Sequence, residues 1–187
     1  MPLKIFINLV FLYEFMVQLM ERILFMIKLV AFDVDGVLTD GSITYDENGI
    51  EYKTFNAKDG QGITNLNARG LITAIITARE NGTVKHRADN LGITELHQGQ
   101  KNKIQKLEEL MQKYSLKYEE IAYIGDDLPD ICVLEKVGLS GCPADAVDEV
   151  KNIANWHSAY NGGRGAVREF CDYIIKTNNV RREACTK

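Results

Sequence analysis

Asp33 and Asp35 stand two residues apart, directly after an apolar run that holds Ile27, Leu29, Val30, Ala31 and Phe32. Side chains alternate along a strand, so the two carboxylates leave it on one face. Side by side they repel unless a cation or a shared proton offsets their charge, and Gly36 lets the backbone turn sharply where the run stops. Three further polar clusters follow apolar runs: Thr77 and Arg79, Lys103, and the trio Asp126, Asp127 and Asp130. Each cluster also has a plainer reading. Thr77 suits a helix N-cap, Lys103 a surface position, and the acidic trio a helix N-terminus where negative charge is favoured. Lys103 falls in the first turn of a helix, opposing its dipole, unless something anionic lies nearby. Together the clusters offer carboxylates, a hydroxyl and an ammonium. With a divalent cation they make a site for phosphoryl transfer, which depends mostly on positioning and on neutralising oxygen charge. A carboxylate can also act as the nucleophile, and Mg²⁺ favours one or two carboxylates plus waters and phosphate oxygens.

The elements that must bring these residues together are legible in outline. The run 27–32 reads as a strand buried on both faces, as at the centre of a parallel sheet. Residues 71–76, 93–97, 121–124 and 138–142 predict further strands, and 156–159 a last edge strand. Helices are expected between them: a short one over 63–68, one carrying Val84, Arg87 and Leu91, one bearing Ile104, Leu107, Leu110 and Met111, and two more over 146–154 and 166–176. The alternation predicts an α/β domain, a Rossmann-like doubly wound parallel sheet. In such a sheet the carboxyl ends of the strands share one rim, so the clusters meet in one crevice. Residues 41–45 and 50–55 alternate apolar and polar around an Asn-Gly turn, a β-hairpin signal. It stands over the site as a flap, or decorates the edge as a ribbon. Residues 56–62 read as a polar, glycine-bearing loop.

A chain of 187 residues, 45% hydrophobic and 26% charged, suits one soluble domain with a full core. The net charge of −4 gives no reason to expect nucleic acid, which calls for a basic stripe. Four cysteines without a CxxC pair point to thiols in a reducing compartment, and hence to the cytoplasm. The longest uncharged stretch near the start, residues 5–13, is far shorter than the about 20 apolar residues a membrane span needs. From Glu14 an amphipathic helix leads toward the first strand. The expected organisation is an N-terminal extension and lead-in helix over 1–25, a catalytic domain over 26–176, and a polar tail over 177–187.

Asp33-x-Asp35-Gly-Val, Thr77, Lys103 and Gly125-Asp-Asp-x-x-Asp130 resemble, in order and spacing, the four motifs of the haloacid dehalogenase superfamily. More closely, the stretches FDVDGVLTDG, FNAKDGQGI, ELHQGQKNK, AYIGDDLPD and GGRGAVREFCD resemble the 3-deoxy-D-manno-octulosonate 8-phosphate phosphatases. The resemblance implies a Mg²⁺-dependent phosphatase of lipopolysaccharide precursor synthesis, a cytoplasmic homotetramer acting on a small sugar phosphate. It implies no large cap domain; the hairpin and neighbouring subunits cover the site instead. By the same resemblance Asp33 attacks phosphorus and binds the metal, and Asp35 exchanges protons with the leaving oxygen and with water while its carbonyl ligates the metal. Asp126 completes the ligands, Asp127 and Asp130 orient them, and Thr77 and Lys103 hold phosphoryl oxygens. Asn56, Ala57, Lys58, Asp59 and Gly60, with Arg79 and Arg87, match positions that touch substrate. Two positions depart from the pattern: Thr64 replaces a Lys or Arg, and Thr77-Ala78-Arg79 replaces Thr-Gly-Arg. Thr64 removes a contact to the sugar carboxylate, so a nine-carbon, sialic-acid-type 9-phosphate is the alternative substrate. A non-catalytic regulatory module of the same fold is disfavoured, because Asp33, Asp35, Lys103 and Asp126 are all present.

Overall fold

A computed structural model describes residues 26–185; the lead-in helix expected before Ile27 lies outside them. The chain runs through β1 (Leu29–Phe32), β2 (Thr44–Tyr45), β3 (Glu51–Tyr52), α1 (Ala57–Asn67), β4 (Ile72–Ile76), α2 (Gly82–Leu91) and β5 (Glu95–His97). It continues through α3 (Lys103–Tyr114), β6 (Ile121–Ile124), α4 (Ile131–Leu134), β7 (Leu139–Cys142), α5 (Asp148–Ile153), β8 (Trp156–His157) and α6 (Ala166–Cys185). Six strands form one parallel sheet in the order β5-β4-β1-β6-β7-β8. The chain builds outward from β1 through β4 to β5, then returns to place β6 on the other side of β1. That reversal leaves a crevice beyond the ends of β1 and β6.

Alternation along β1 feeds two cores. Val30 and Phe32 face one side with Ile63 and Leu66 of α1, Val84 of α2 and Phe170 of α6. Leu29 and Ala31 face the other with Leu107 and Leu110 of α3, Val133 of α4 and Val150 of α5. A strand walled in on both faces has no use for a polar residue until it ends, which is why the polar clusters appear only at the rim.

Three elements differ from the sequence expectation. Helix α1 begins at Ala57, inside the stretch that reads as a loop. Asn56 caps it, its side chain accepting from Lys58 N at 2.8 Å. Asp59 is buried and accepts the backbone N–H groups of Gly165 (3.2 Å) and Arg168 (2.8 Å), pinning α1 to the start of α6. A Cβ at Gly62 would lie 3.1 Å from Arg168 Cα, so glycine there serves close helix packing rather than a turn. Helix α6 continues past Lys176 to Cys185 because residues 177–185 hold no Gly or Pro to stop it. Its Asn178 is buried and bridges the backbone of Ile27, accepting from N at 3.1 Å and donating to O at 2.9 Å. The hairpin forms as a separate two-stranded ribbon with only two residues per strand, and Ile43, Tyr45, Ile50 and Tyr52 on it are exposed.

Candidate active site

The ladder between β1 and β6 extends one residue past the strands, with Asp33 N donating to Ile124 O at 3.1 Å. The chain then folds tightly on itself. Val34 O accepts from the N–H groups of Val37, Leu38 and Thr39 at 2.9–3.2 Å. Gly36 adopts φ of 84°, and a Cβ there would collide with the Asp126 carboxylate. The turn after β1 is therefore pressed against Asp126, just past the end of β6.

Asp130 organises that side. Its Oδ2 accepts the N–H of Asp126 (3.0 Å) and of Asp127 (3.3 Å), and its Oδ1 accepts the Tyr123 hydroxyl (2.5 Å) and the Lys103 ammonium (2.7 Å). Asp127 caps the turn that follows, accepting from Leu128 N at 2.7 Å. Lys103 reaches from the first turn of α3 and also meets Asp33 at 2.9 Å. The surface position that this lysine suggested by itself is corrected. The side chain is 3% exposed, and the two carboxylates offset the dipole it opposes. Thr77 is not a cap either, since Asn81 caps α2; Thr77 follows β4 and lines the crevice.

Burial first, then the Asp130 charge, pushes Asp33 up to about 6, with Lys103 pulling the other way. Burial, then Asp33 and Asp130, pushes Asp126 up to about 8. For Lys103, burial works against the charge, and its two carboxylate partners outweigh it to raise the pKa.

A crevice of ≈ 210 Å³ gathers Asp33, Asp35, Thr77, Arg79, Lys103, Asp126, Asp127 and Asp130. It does not gather Asn56, Ala57, Lys58, Asp59, Gly60 or Arg87. Asn56 and Asp59 serve α1 as described, and Arg87 donates to Asn56 O at 3.1 Å while lying over the Phe55 ring. Lys58 lines a separate, larger hollow with Tyr160, Arg164 and Arg168. The Thr64 hydroxyl turns back onto its own helix, donating to Gly60 O at 3.0 Å.

Two residues at the site were not foreseen. Lys53, on the ribbon, pairs with Asp35 Oδ1, and its Nζ lies 2.8 Å from Glu51 Oε1. Glu51 Oε2 in turn accepts Arg79 at 2.5 Å. Residues 51 and 53 share one face of the ribbon while Tyr52 points to solvent. A charged pair at that spacing beside an apolar face was the available signal.

The carboxylates also fit a divalent cation. Oxygens of Asp33, Asp126 and Asp130 lie within 4.8 Å of one another. Both Asp130 oxygens are already engaged by protein donors. Asp126 Oδ1 is buried and has no hydrogen-bond partner, a costly state that a cation relieves.

A family model for haloacid dehalogenase-like hydrolases matches residues 90–170. The 3-deoxy-D-manno-octulosonate 8-phosphate phosphatase of Escherichia coli K12 is 45% identical over 158 residues, covering 84% of each chain. The chain belongs to that phosphatase family. Solved structures of phosphatases agree with the fold. A probable YrbI family phosphatase from Pseudomonas syringae superposes with TM-score 0.82 at 46% identity, covering 90% of this chain and 95% of that one. The Moraxella catarrhalis 3-deoxy-D-manno-octulosonate 8-phosphate phosphatase, solved with magnesium, phosphate and KDO, gives 0.82 at 37% identity, covering 89% and 95%. As a member of this phosphatase family the chain is a haloacid dehalogenase-like phosphoric monoester hydrolase.

Proposed function

We propose that this chain hydrolyses 3-deoxy-D-manno-octulosonate 8-phosphate to the free sugar acid and inorganic phosphate, with Mg²⁺ as cofactor, in lipopolysaccharide precursor synthesis. The observation that carries the reading is the buried Asp33–Lys103 pair beside the partnerless Asp126 oxygen. Magnesium, phosphate and KDO together in the Moraxella relative support the same reading.

Asp33 attacks phosphorus, and the bond to the sugar oxygen breaks with its electron pair leaving on that oxygen. Asp35 gives its proton to the oxygen. It then takes a proton from the water that attacks phosphorus and frees Asp33 and phosphate. Lys103 and Thr77 hold the phosphoryl oxygens, with Arg79 at the mouth of the crevice. Asp127 and Asp130 orient the acidic groups. Asp33, Asp126 and the Asp35 backbone carbonyl would hold Mg²⁺, which would supply positive charge against the phosphoryl oxygens. Asp59, buried against α6, holds that helix. Asn56, Ala57, Lys58, Gly60 and Arg87 lie outside this chain's crevice and would meet substrate only across a subunit boundary. That fits a homotetramer, supported by the exposed Ile43, Tyr45, Ile50 and Tyr52. Among the described residues no helix is long and apolar enough to cross a membrane, in keeping with a cytoplasmic enzyme.

The deciding experiment measures phosphate release from the eight-carbon 8-phosphate and the nine-carbon 9-phosphate, with and without Mg²⁺, for the native chain and Asp33→Asn. Turnover should favour the 8-phosphate, require Mg²⁺ and vanish in the variant. Preference for the 9-phosphate overturns the substrate, and persistent turnover in Asp33→Asn overturns the nucleophile. Sedimentation of the native chain as a stable monomer overturns the tetramer.

A further inference from the structure

Lys53 is the least expected residue at the site. It lies on a ribbon whose Ile50 and Tyr52 are each 55% exposed, yet its own side chain is 1% exposed. Its contacts are charged: Asp35 Oδ1 on one side and Glu51 Oε1, at 2.8 Å, on the other. Glu51 is also paired with Arg79, whose Nη2 lies 3.3 Å from the Tyr45 hydroxyl. The result is a quartet of two cations and two carboxylates joining the ribbon to the loop after β1.

A ribbon this short is marginal unaided and needs something to dock it. An apolar side chain would dock it as well as a buried ion pair, which stabilises little once desolvation is counted. The charge has a different consequence. Lys53 takes one of the two Asp35 oxygens, leaving Oδ2, whose ion-pair partner among the described residues is the Arg79 guanidinium, with Nε at 3.7 Å. A carboxyl free to turn would present either oxygen; this one is fixed with a single oxygen available for proton transfer.

We propose that Lys53, seated by Glu51, is a positioning residue that aims the general acid Asp35 at the leaving oxygen, so that seating of the ribbon sets the acid. The proposal rests on the role given to Asp35 above. Lys53 is not among the residues that line the crevice, so it acts through Asp35.

A sugar alkoxide leaves poorly and needs the proton, whereas p-nitrophenolate leaves well without one. The ratio kcat/KM covers every step up to departure of the leaving group, so comparing the two esters isolates the acid. In Lys53→Met, saturated with Mg²⁺, kcat/KM for the sugar 8-phosphate should fall about 100-fold, against less than about threefold for p-nitrophenyl phosphate. The loss should lie in kcat, with KM within about threefold of native. Equal losses on both esters, no loss on the sugar phosphate, or a raised KM at unchanged kcat overturns the proposal. Glu51→Gln, isosteric and leaving the Lys53–Asp35 pair in place, is the second variant should Lys53→Met not fold. It should show the same bias to a lesser degree, and an even loss there also overturns the proposal. Asp35→Asn, run in parallel, separates the two levels. Native-like sugar phosphate turnover in Asp35→Asn sinks the reading of Asp35 itself, whereas an inactive Asp35→Asn beside an unbiased Lys53→Met sinks only the role of Lys53.

Discussion

Replacing Asp130 by Asn keeps the side chain's shape and removes one charge from the centre of the site. Asp130 is fully buried and accepts from four donors, two of them backbone N–H groups and one the Lys103 ammonium. An asparagine can keep its oxygen toward Asp126 N and Asp127 N. Its NH₂ then faces Lys103 and the Tyr123 hydroxyl, and the hydroxyl can rotate to accept while the ammonium cannot. Breaking a buried pair by removing one partner costs about 3–5 kcal/mol. Lys103 keeps Asp33 at 2.9 Å, so the lower end, about 3 kcal/mol, is expected. For a chain of this size that lowers Tm by roughly 6–12 °C. Thermal melting of native and variant protein, both without metal, measures it. Turnover should fall as well, because Lys103 loses one of its two carboxylate anchors. A Tm within about 2 °C of native, which corresponds to less than about 1 kcal/mol, would falsify the view that Asp130 holds the cluster together.

Other perturbations read the same cluster from different sides. With its carboxyl pushed up to about 8, Asp126 carries a proton at neutral pH in the absence of metal, so Mg²⁺ binding must release one. Calorimetry in buffers of different ionisation enthalpy should detect that proton, and affinity should rise with pH and level off above about 8; a flat profile refutes it. Asp33 and Asp126 both have folded pKa values above the usual carboxylate range, so they weaken the metal-free fold as pH rises through the window up to about 8. The rise in Tm on adding Mg²⁺ should therefore widen from about pH 5 to about pH 9, and a constant increment contradicts it. Gly36→Ala forces a side chain into a left-handed φ and against Asp126. It should cost about 1–2 kcal/mol in stability and weaken Mg²⁺ affinity more than the melt alone suggests. Unchanged affinity would mean the turn is not what places Asp126.

The parts of the molecule that the sequence announced are those set by burial. Residues 29–32 and 121–124 are apolar without a break because the sheet is covered on both faces, and the first polar residue past each marks the rim. Asp33, Asp126 and Thr77 were therefore legible together. What no residue shows by itself depends on partners distant in the chain. Lys103 looks like any helix lysine until Asp33 and Asp130 arrive from two other elements. Lys53 looks like a solvent-facing ribbon residue until the ribbon docks on Asp35. The start of α1 was hidden by Gly60 and Gly62, which punctuate a sequence but here admit α6 and Arg87 to close approach. Helix α6 outran its expected end because its stabilising contact, Asn178 to Ile27, spans 151 positions.

The two protein groups that must cooperate over the reacting phosphorus stand on ground of unequal firmness. Asp33 hangs from a strand hydrogen-bonded on both sides, where backbone amides exchange with solvent only when the whole domain opens. Asp35 is held from above by a ribbon of two residues per strand, which can lift by itself at small free-energy cost. Deuterium uptake should separate the two by orders of magnitude in rate, a slowly exchanging strand carrying the nucleophile opposite an acid whose support comes and goes.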